Sequence, residues 1–303
     1  MKLCILYGGT SKERNVSINT GNSVYASIKN DFDIIMHDYS GDLNHLSDAI
    51  KNVDLVFVAL HGGDGENGEI QSFLEQKNIK FTGSNSLASS IAMNKDKSKN
   101  ICLENNIPTP PWCTLSKNVL NKENDFASKV VVKPVSEGSS VGMSIVNNPY
   151  DKKREISNEL KKALDFCFTV SNDAMIEEYI PGRELTVSVL DNKTLPIIEI
   201  MPKGDFYDYK SKYTKGESDY LVPAKLGEGT KSLLNEYSMK IHKIIGCSGY
   251  SRVDFRLSDD NKIYFLEINT LPGFTGTSLF PKAANAVGLS YNALIKNIIR
   301  LAL

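Results

Sequence analysis

Residues 54–68 read DLVFVALHGGDGENG. After Asp54 the run to Leu60 is continuously apolar, the strongest strand signal in the chain. A strand without polar alternation is buried on both faces, which is the mark of a parallel sheet covered by helices. His61 to Gly68 is then a loop at the carboxyl end of that strand, where open α/β sheets bind ligands. Glu69 to Lys77 continues as a helix. Upstream, residues 2–7 repeat the apolar pattern and stop at Gly8-Gly9, on the same edge. Ser17 or Asn15 is expected to cap a helix running to about Lys29. Asp33 to Tyr39 is a second strand and Leu43 to Asn52 a second helix. The alternation predicts an N-terminal parallel-sheet α/β domain.

Downstream the pattern changes. Ser86 to Asn106 is mostly helical and ends before Pro108, Pro110 and Pro111. Lys129 to Pro134 is a strand, about Asp151 to Phe166 a helix, and Met175 to Ile180 a strand before the Pro181-Gly182 turn. Leu185 to Leu190 and Leu195 to Met201 read as a hairpin around Asp191-Asn192. Residues 204–223 are polar and weakly periodic, the pattern of a lid or a disordered stretch, and four tyrosines (Tyr207, Tyr209, Tyr213, Tyr220) argue for order in at least one state. Tyr250 to Leu257 and Lys262 to Ile268 are two further strands. Boundaries near residues 93 and 180 divide the chain into 1–93, 94–180 and 181–303.

A chain of 303 residues exceeds one typical core. With 41% hydrophobic and 23% charged residues it is an ordinary globular composition. A net charge of -1 argues against general nucleic-acid binding. No apolar run approaches the ~20 residues that cross a bilayer. The five cysteines lack CxxC spacing, so reduced, buried thiols in a cytosolic protein are expected.

Candidate chemistry clusters near the C-terminus. Glu267 and Asn269 lie two apart on a strand and leave the same face. With Asp254 from the preceding strand they offer three hard oxygen donors, suited to magnesium. A hairpin with a solvated polar face is the plainer alternative. Arg252, two residues before Asp254, fits a surface ion pair. Glu137-Gly138-Ser139-Ser140-Val141-Gly142 follows the strand ending in Lys133. Its glycines and serines could seat a phosphate, or simply form a turn. The pattern is neither GxGxxG nor a P-loop, which disfavours a dinucleotide dehydrogenase and a P-loop kinase. Lys95 and Lys133 could neutralise phosphate or be exposed to solvent.

Taken in order, GGTSKERNVS at 8–17, ALHGGDGENG at 59–68, MNKDKSK at 93–99, VVVKPVSEGSSVGM at 130–143, EEYIPGREL at 177–185, FYDYKSKY at 206–213, SRVDF at 251–255 and LEINTLPGFTGTSL at 266–279 are collinear blocks. The chain resembles the D-alanine–D-alanine ligases of the ATP-grasp superfamily, from residue 2 to about 300. The resemblance implies an α/β N-terminal domain followed by a two-part fold that clamps ATP between antiparallel sheets. It implies ATP-dependent joining of two D-alanines through an acyl phosphate, for peptidoglycan precursors, by a cytoplasmic homodimer.

It also assigns roles. Lys95, Lys133 and Lys212 would approach the ATP phosphates, with Glu137, Gly138, Ser139 and Ser140 in the phosphate loop. Glu177 and Ile180 would line the adenine pocket and Glu184 would accept the ribose hydroxyls. Asp254, Glu267 and Asn269 would hold two Mg2+ or Mn2+ ions. Arg252 and the Gly273 amide would face the oxyanion. Glu13 would receive the first D-alanine's ammonium, linked to the mobile loop through Ser139 and Tyr213, with His61 nearby. Ser278 and Lys212 would bind the second substrate's carboxylate.

Two residues depart from the family pattern. Glu178 stands where lysine is common beside the adenine, and Asn67 replaces an aspartate in the histidine loop, where it can still cap the next helix. Lys212-Tyr213 points to D-alanyl-D-alanine as product. A D-Ala–D-Ser or depsipeptide ligase is the nearest alternative. A non-catalytic nucleotide-binding module is a third, disfavoured because Glu13, Ser139, Arg252, Asp254, Glu267 and Asn269 are present together.

Overall fold

The computed structural model describes residues 1–117, 126, 129–150, 156–203 and 216–303. The predicted lid positions Tyr207, Tyr209, Lys212 and Tyr213, and the start of the predicted helix at 151–155, lie outside the described residues.

The continuous apolar runs do form a parallel sheet. Strands β1 (Lys2–Gly8), β2 (Asp33–Tyr39) and β3 (Leu55–Val58) are ordered β2-β1-β3. Leu55, Val56, Phe57 and Val58 are all essentially inaccessible, as expected of a strand covered on both faces. Helix α1 (Arg14–Ile28) follows β1, and α2 (Leu43–Ala49) follows β2. Neither Ser17 nor Asn15 caps α1: Glu13 occupies the N-cap position. Ser17 lies one turn further in, where its hydroxyl accepts from the Gly8 amide at 2.8 Å and donates to the Ala59 carbonyl at 2.8 Å. It fastens the helix to two strand ends instead of to its own first turn. Asn67 does serve the start of α3 (Glu69–Gln76), accepting the Glu69 amide at 2.9 Å.

Helices α4 (Ser86–Met93) and α5 (Lys95–Glu104) meet at Asn94, which ends one and caps the other by accepting the Lys97 amide at 2.9 Å. A four-stranded antiparallel sheet follows, ordered β4-β7-β5-β6. It comprises β4 (Trp112–Ser116), β5 (Lys129–Pro134), β6 (Ser144–Asn147) and β7 (Asp173–Glu178), with α6 (Asn158–Cys167) on one face. Val130, Val132 and Ile176 point into the α6 core. By alternation Val131, Lys133 and Glu177 point the other way.

The largest sheet runs β11-β10-β8-β12-β13, with the short β9 pairing β8. Its strands are β8 (Gly182–Leu190), β9 (Lys193–Thr194), β10 (Ile198–Pro202), β11 (Ser218–Leu221), β12 (Tyr250–Ser258) and β13 (Ile263–Asn269). Asp191 and Asn192 both adopt positive φ (50 and 57), the geometry of a tight two-residue hairpin turn. Helix α7 (Glu228–Ile245) and α5 cover one face, packing Leu234, Ile241 and Cys102 on Val187, Val253 and Phe255. The opposite face carries Arg252, Asp254 and Arg256. The two antiparallel sheets thus face each other across a gap, as the fold expectation required.

The chain ends with α8 (Leu279–Asn285) and α9 (Tyr291–Leu301), which return to the first sheet. Leu294, Ile295, Ile298 and Phe274 share one core with Leu3, Ile5 and Phe57. Phe274 sits edge-to-face with Tyr250, Phe57 and Phe280 at centroid separations of 5.3, 6.3 and 5.4 Å. Phe274→Ala should therefore cost about 3–5 kcal/mol, measured as a lower urea midpoint. An unchanged midpoint would mean the aromatic cluster contributes little.

Candidate active site

Strand register builds the centre of the site. Across β12 and β13, Arg252 pairs with Asn269 and Asp254 pairs with Glu267, whereas Phe255 pairs with Phe265. Leu266 is therefore an extra residue. Such a bulge shifts the phase of the strand. Without it Glu267 would share the buried face of Phe265; with it, Glu267 and Asn269 turn toward Asp254. The three oxygen-bearing residues predicted together are brought to one face.

In this structure their charges are matched by neighbours. Arg252 forks onto Asp254, Nε to Oδ1 at 3.0 Å and Nη2 to Oδ2 at 2.8 Å. Thr186 on β8 donates to the same carboxylate at 2.5 Å. Lys95 Nζ donates to the Glu137 carbonyl at 2.7 Å and stands 3.3 Å from Glu267 Oε2. Asn269 Oδ1 accepts the Leu271 amide at 2.8 Å. Among the described residues no three His, Cys, Asp or Glu side chains form a metal-holding cluster. The predicted donor set is instead two carboxylates and one amide oxygen, all hard donors. Its chemistry fits a hard divalent cation, provided Arg252 and Lys95 give up their present partners.

Two clefts adjoin here. The larger, about 680 Å³, is lined by Glu13, His61, Glu66, Ser139, Arg252, Asn269, Gly273 and Ser278 among others. The smaller, about 120 Å³, lies between the antiparallel sheets and is lined by Lys133, Ser140, Glu177, Glu178, Ile180, Glu184 and Asp254 among others. Lys95, Glu137 and Glu267 line both. Burial, opposed by Lys95 and Lys12, raises the carboxyl of Glu137 above the ordinary range.

In the larger cleft Glu13 is buried and accepts a hydrogen bond from Ser139. The loops after β1 and β3 press closely on it. A Cβ at Gly62 would lie 2.8 Å from Glu13 Oε2, and φ there is +66, so only glycine fits without strain. His61 is held between Thr20 Oγ1 at 3.0 Å and Glu66 Oε1 at 3.6 Å. Glu66 was not singled out from sequence; its place in the HGGDGENG loop was the available signal. At the far side, Ser278 Oγ accepts the Thr275 amide at 3.1 Å, and a Cβ on Gly273 would approach that oxygen to 2.8 Å.

In the smaller cleft Lys133 does not stand free. Its Nζ lies 3.1 Å from Glu177 Oε1 and 3.0 Å from Oε2. Lys99, also not singled out beforehand, meets the same carboxylate at 2.8 Å. Burial pushes the Glu177 carboxyl up, but Lys133 and Lys99 outweigh it and hold it below the ordinary range. Glu184 lies 3.6 Å from Arg256, whose Nε donates to the Ile180 carbonyl at 3.1 Å. Ser139 and Ser140 adopt positive φ (51 and 58), the tight conformation expected of the glycine- and serine-rich loop.

Comparison with known proteins gives one consistent answer. Residues 38–84 match the family described as D-ala D-ala ligase N-terminus, and residues 101–300 match D-ala D-ala ligase C-terminus. The D-alanine–D-alanine ligase of Syntrophotalea carbinolica is 40% identical over 98% of this chain and 95% of its own length. That of Aquifex aeolicus is 40% identical over 99% and 100%. The crystal structure of the Bacillus anthracis D-alanine–D-alanine ligase complexed with ATP superposes with a TM-score of 0.86 at 35% identity, covering 100% of this chain and 97% of that one. A D-Ala:D-Ser ligase from Enterococcus faecalis gives 0.82 at 28% identity, covering 100% and 99%. Blocks from both ends of the sequence, both kinds of sheet and the paired clefts agree: the chain belongs to the D-alanine–D-alanine ligase family.

Proposed function

We propose that this protein uses ATP to join two D-alanines into D-alanyl-D-alanine through a D-alanyl phosphate, releasing ADP and phosphate for peptidoglycan precursor synthesis. The observation that carries this reading is the junction of the two clefts at Lys95, Glu137 and Glu267. A nucleotide held between the antiparallel sheets would direct its terminal phosphate into an amino-acid pocket.

Each residue then has a task. Ile180 and Glu177 border the base and Glu184 the ribose, while Lys95, Lys133 and the 137–140 loop face the phosphates. The buried Glu13 carboxylate takes the first D-alanine's ammonium, with Ser139 holding its orientation and His61 beside it. The guanidinium of Arg252 and the Gly273 amide stabilise negative charge on the tetrahedral carbon's oxygen. Preorganised donors of this kind lower the barrier because they need no rearrangement as charge develops. Ser278 positions the second substrate's carboxylate; Lys212, assigned to the same carboxylate, and Tyr213, assigned to the link with Ser139, lie outside the described residues. Asp254, Glu267 and Asn269 would hold magnesium or manganese ions. Such ions neutralise charge on the transferring phosphoryl group.

The same reading includes a cytoplasmic homodimer and three structural units, 1–93, 94–180 and 181–303. Among the described residues no helix is long and apolar enough to cross a membrane.

Selectivity tests the reading. D-alanine should support faster phosphate release than D-serine or D-lactate as second substrate between pH 7 and 9. The similarity to a D-Ala:D-Ser ligase makes D-serine the competitor to watch. A single hydroxyl in a small pocket changes selectivity only ~10–200-fold. Preference for D-lactate near neutral pH would refute the role given to Lys212, and absence of dipeptide from D-alanine and ATP would refute the function.

A further inference from the structure

Lys99 lies on the side of α5 that faces the β4-β7-β5-β6 sheet and is completely inaccessible to solvent. Its Nζ is 2.8 Å from Glu177 Oε2, it donates to the Thr109 hydroxyl, and it lies over the Trp112 ring, 5.0 Å from the centroid. The Thr109 hydroxyl in turn donates a hydrogen bond to the Phe265 carbonyl at 3.0 Å. A buried ammonium is costly unless paired, so this one is held in place by contacts on several sides. It does not line either cleft and has no role in the reaction as described above.

Its effect is visible in the charge of the group it joins. Lys133 reaches the smaller cleft, yet both Glu177 oxygens lie within 3.1 Å of its Nζ. Lys133 and Glu177 alone would be a neutral pair offering a phosphate little net attraction. Lys99 binds the same carboxylate and makes two positive charges face one negative. In a low-dielectric setting the surplus unit charge is not screened away. We infer that Lys99 is a positioning residue for nucleotide binding: by sharing Glu177 it leaves Lys133 with the net positive charge that a polyphosphate needs.

The inference rests on the nucleotide reading of the smaller cleft, and its test separates the two. The intact protein is titrated with ATP, ADP and adenosine by calorimetry. Lys99→Met keeps the length and apolar stem of the side chain and deletes the charge. It should weaken ATP and ADP by about tenfold or more while leaving adenosine within about twofold, since adenosine carries no phosphate. In Lys99→Met/Glu177→Gln the surplus charge is restored on Lys133, and ATP affinity should recover most of the loss relative to adenosine. Equal weakening of ATP and adenosine, or no weakening of ATP, overturns the inference. Failure of the unmodified protein to bind ATP overturns the nucleotide reading instead.

A second measurement needs no variant. Burial lowers the Lys99 ammonium to about 8; Glu177 opposes this shift, whereas the nearby Lys133 reinforces it. The Cys102 thiol on the same helix is pushed up to about 12 by burial and stays neutral. A lysine loses charge as pH rises through its titration point, so the surplus charge is present below about 8 and fades above it. ATP affinity in the unmodified protein should fall between pH 7 and pH 9.5 while adenosine affinity stays flat. Parallel pH profiles for the two ligands overturn the inference, whether or not Lys99→Met folds.

Discussion

Arg252→Ala should reduce kcat by about 10²–10³-fold or more, with a small change in ATP affinity. The guanidinium lines the amino-acid cleft together with Gly273, opposite Asn269 in the strand register, and forks onto Asp254. That fork holds the head group at the cleft until a cation takes Asp254, and the released guanidinium then faces the developing oxyanion. Arginine stays charged in any surroundings. Lysine is the informative control: it keeps the charge but cannot make the bidentate bond. If Arg252→Lys retains near-normal kcat, charge alone suffices and the planar donor fork of the guanidinium is unimportant. If Arg252→Ala retains it, the oxyanion role is wrong. Stopped-flow phosphate release and ATP calorimetry on both variants distinguish these results.

Glu267→Gln is expected to be equally severe, about 10²-fold or more in kcat. The change keeps the shape and removes one of the two carboxylates of the proposed donor set. It also deprives the buried Lys95 of the partner at 3.3 Å. Two measurable consequences should separate. Activity should need a higher magnesium concentration, because one hard anionic ligand is lost. ATP binding without magnesium should hold steady or tighten, since Lys95 is no longer shared with a carboxylate. An unchanged magnesium requirement would remove Glu267 from the proposed metal set.

Much of this was legible in the sequence for identifiable reasons. DLVFVAL announced a doubly covered strand because burial on both faces abolishes alternation. Glu267-x-Asn269 announced a shared face because the strand period is two. Elements with weak or short signals were missed. Strands Trp112–Ser116 and Ser144–Asn147 are brief, and the first follows directly on two prolines. The 18-residue helix Glu228–Ile245 did leave a signal: Leu234, Ser238, Ile241, His242 and Ile245 recur with helical spacing, and Gly246 closes it at φ 82. What no local pattern contains is pairing across distance. Lys99 reads as one more lysine in MNKDKSK until β7 brings Glu177 against it. The bulge at Leu266 is similarly silent, since it appears only in the register with β12.

The ion pairs Arg252–Asp254, Lys95–Glu267 and Lys133–Glu177 have a consequence for the order of events. Without ligand, each of these three cations already has a carboxylate beside it. Incoming ligands must work by exchange: a divalent ion takes over carboxylates and liberates the basic side chains, while a polyphosphate engages those side chains and liberates carboxylates. Each arrival lowers the barrier for the other. Nucleotide and metal should consequently associate synergistically, with either alone held more weakly than the pair, a cooperativity written into the resting arrangement of six side chains.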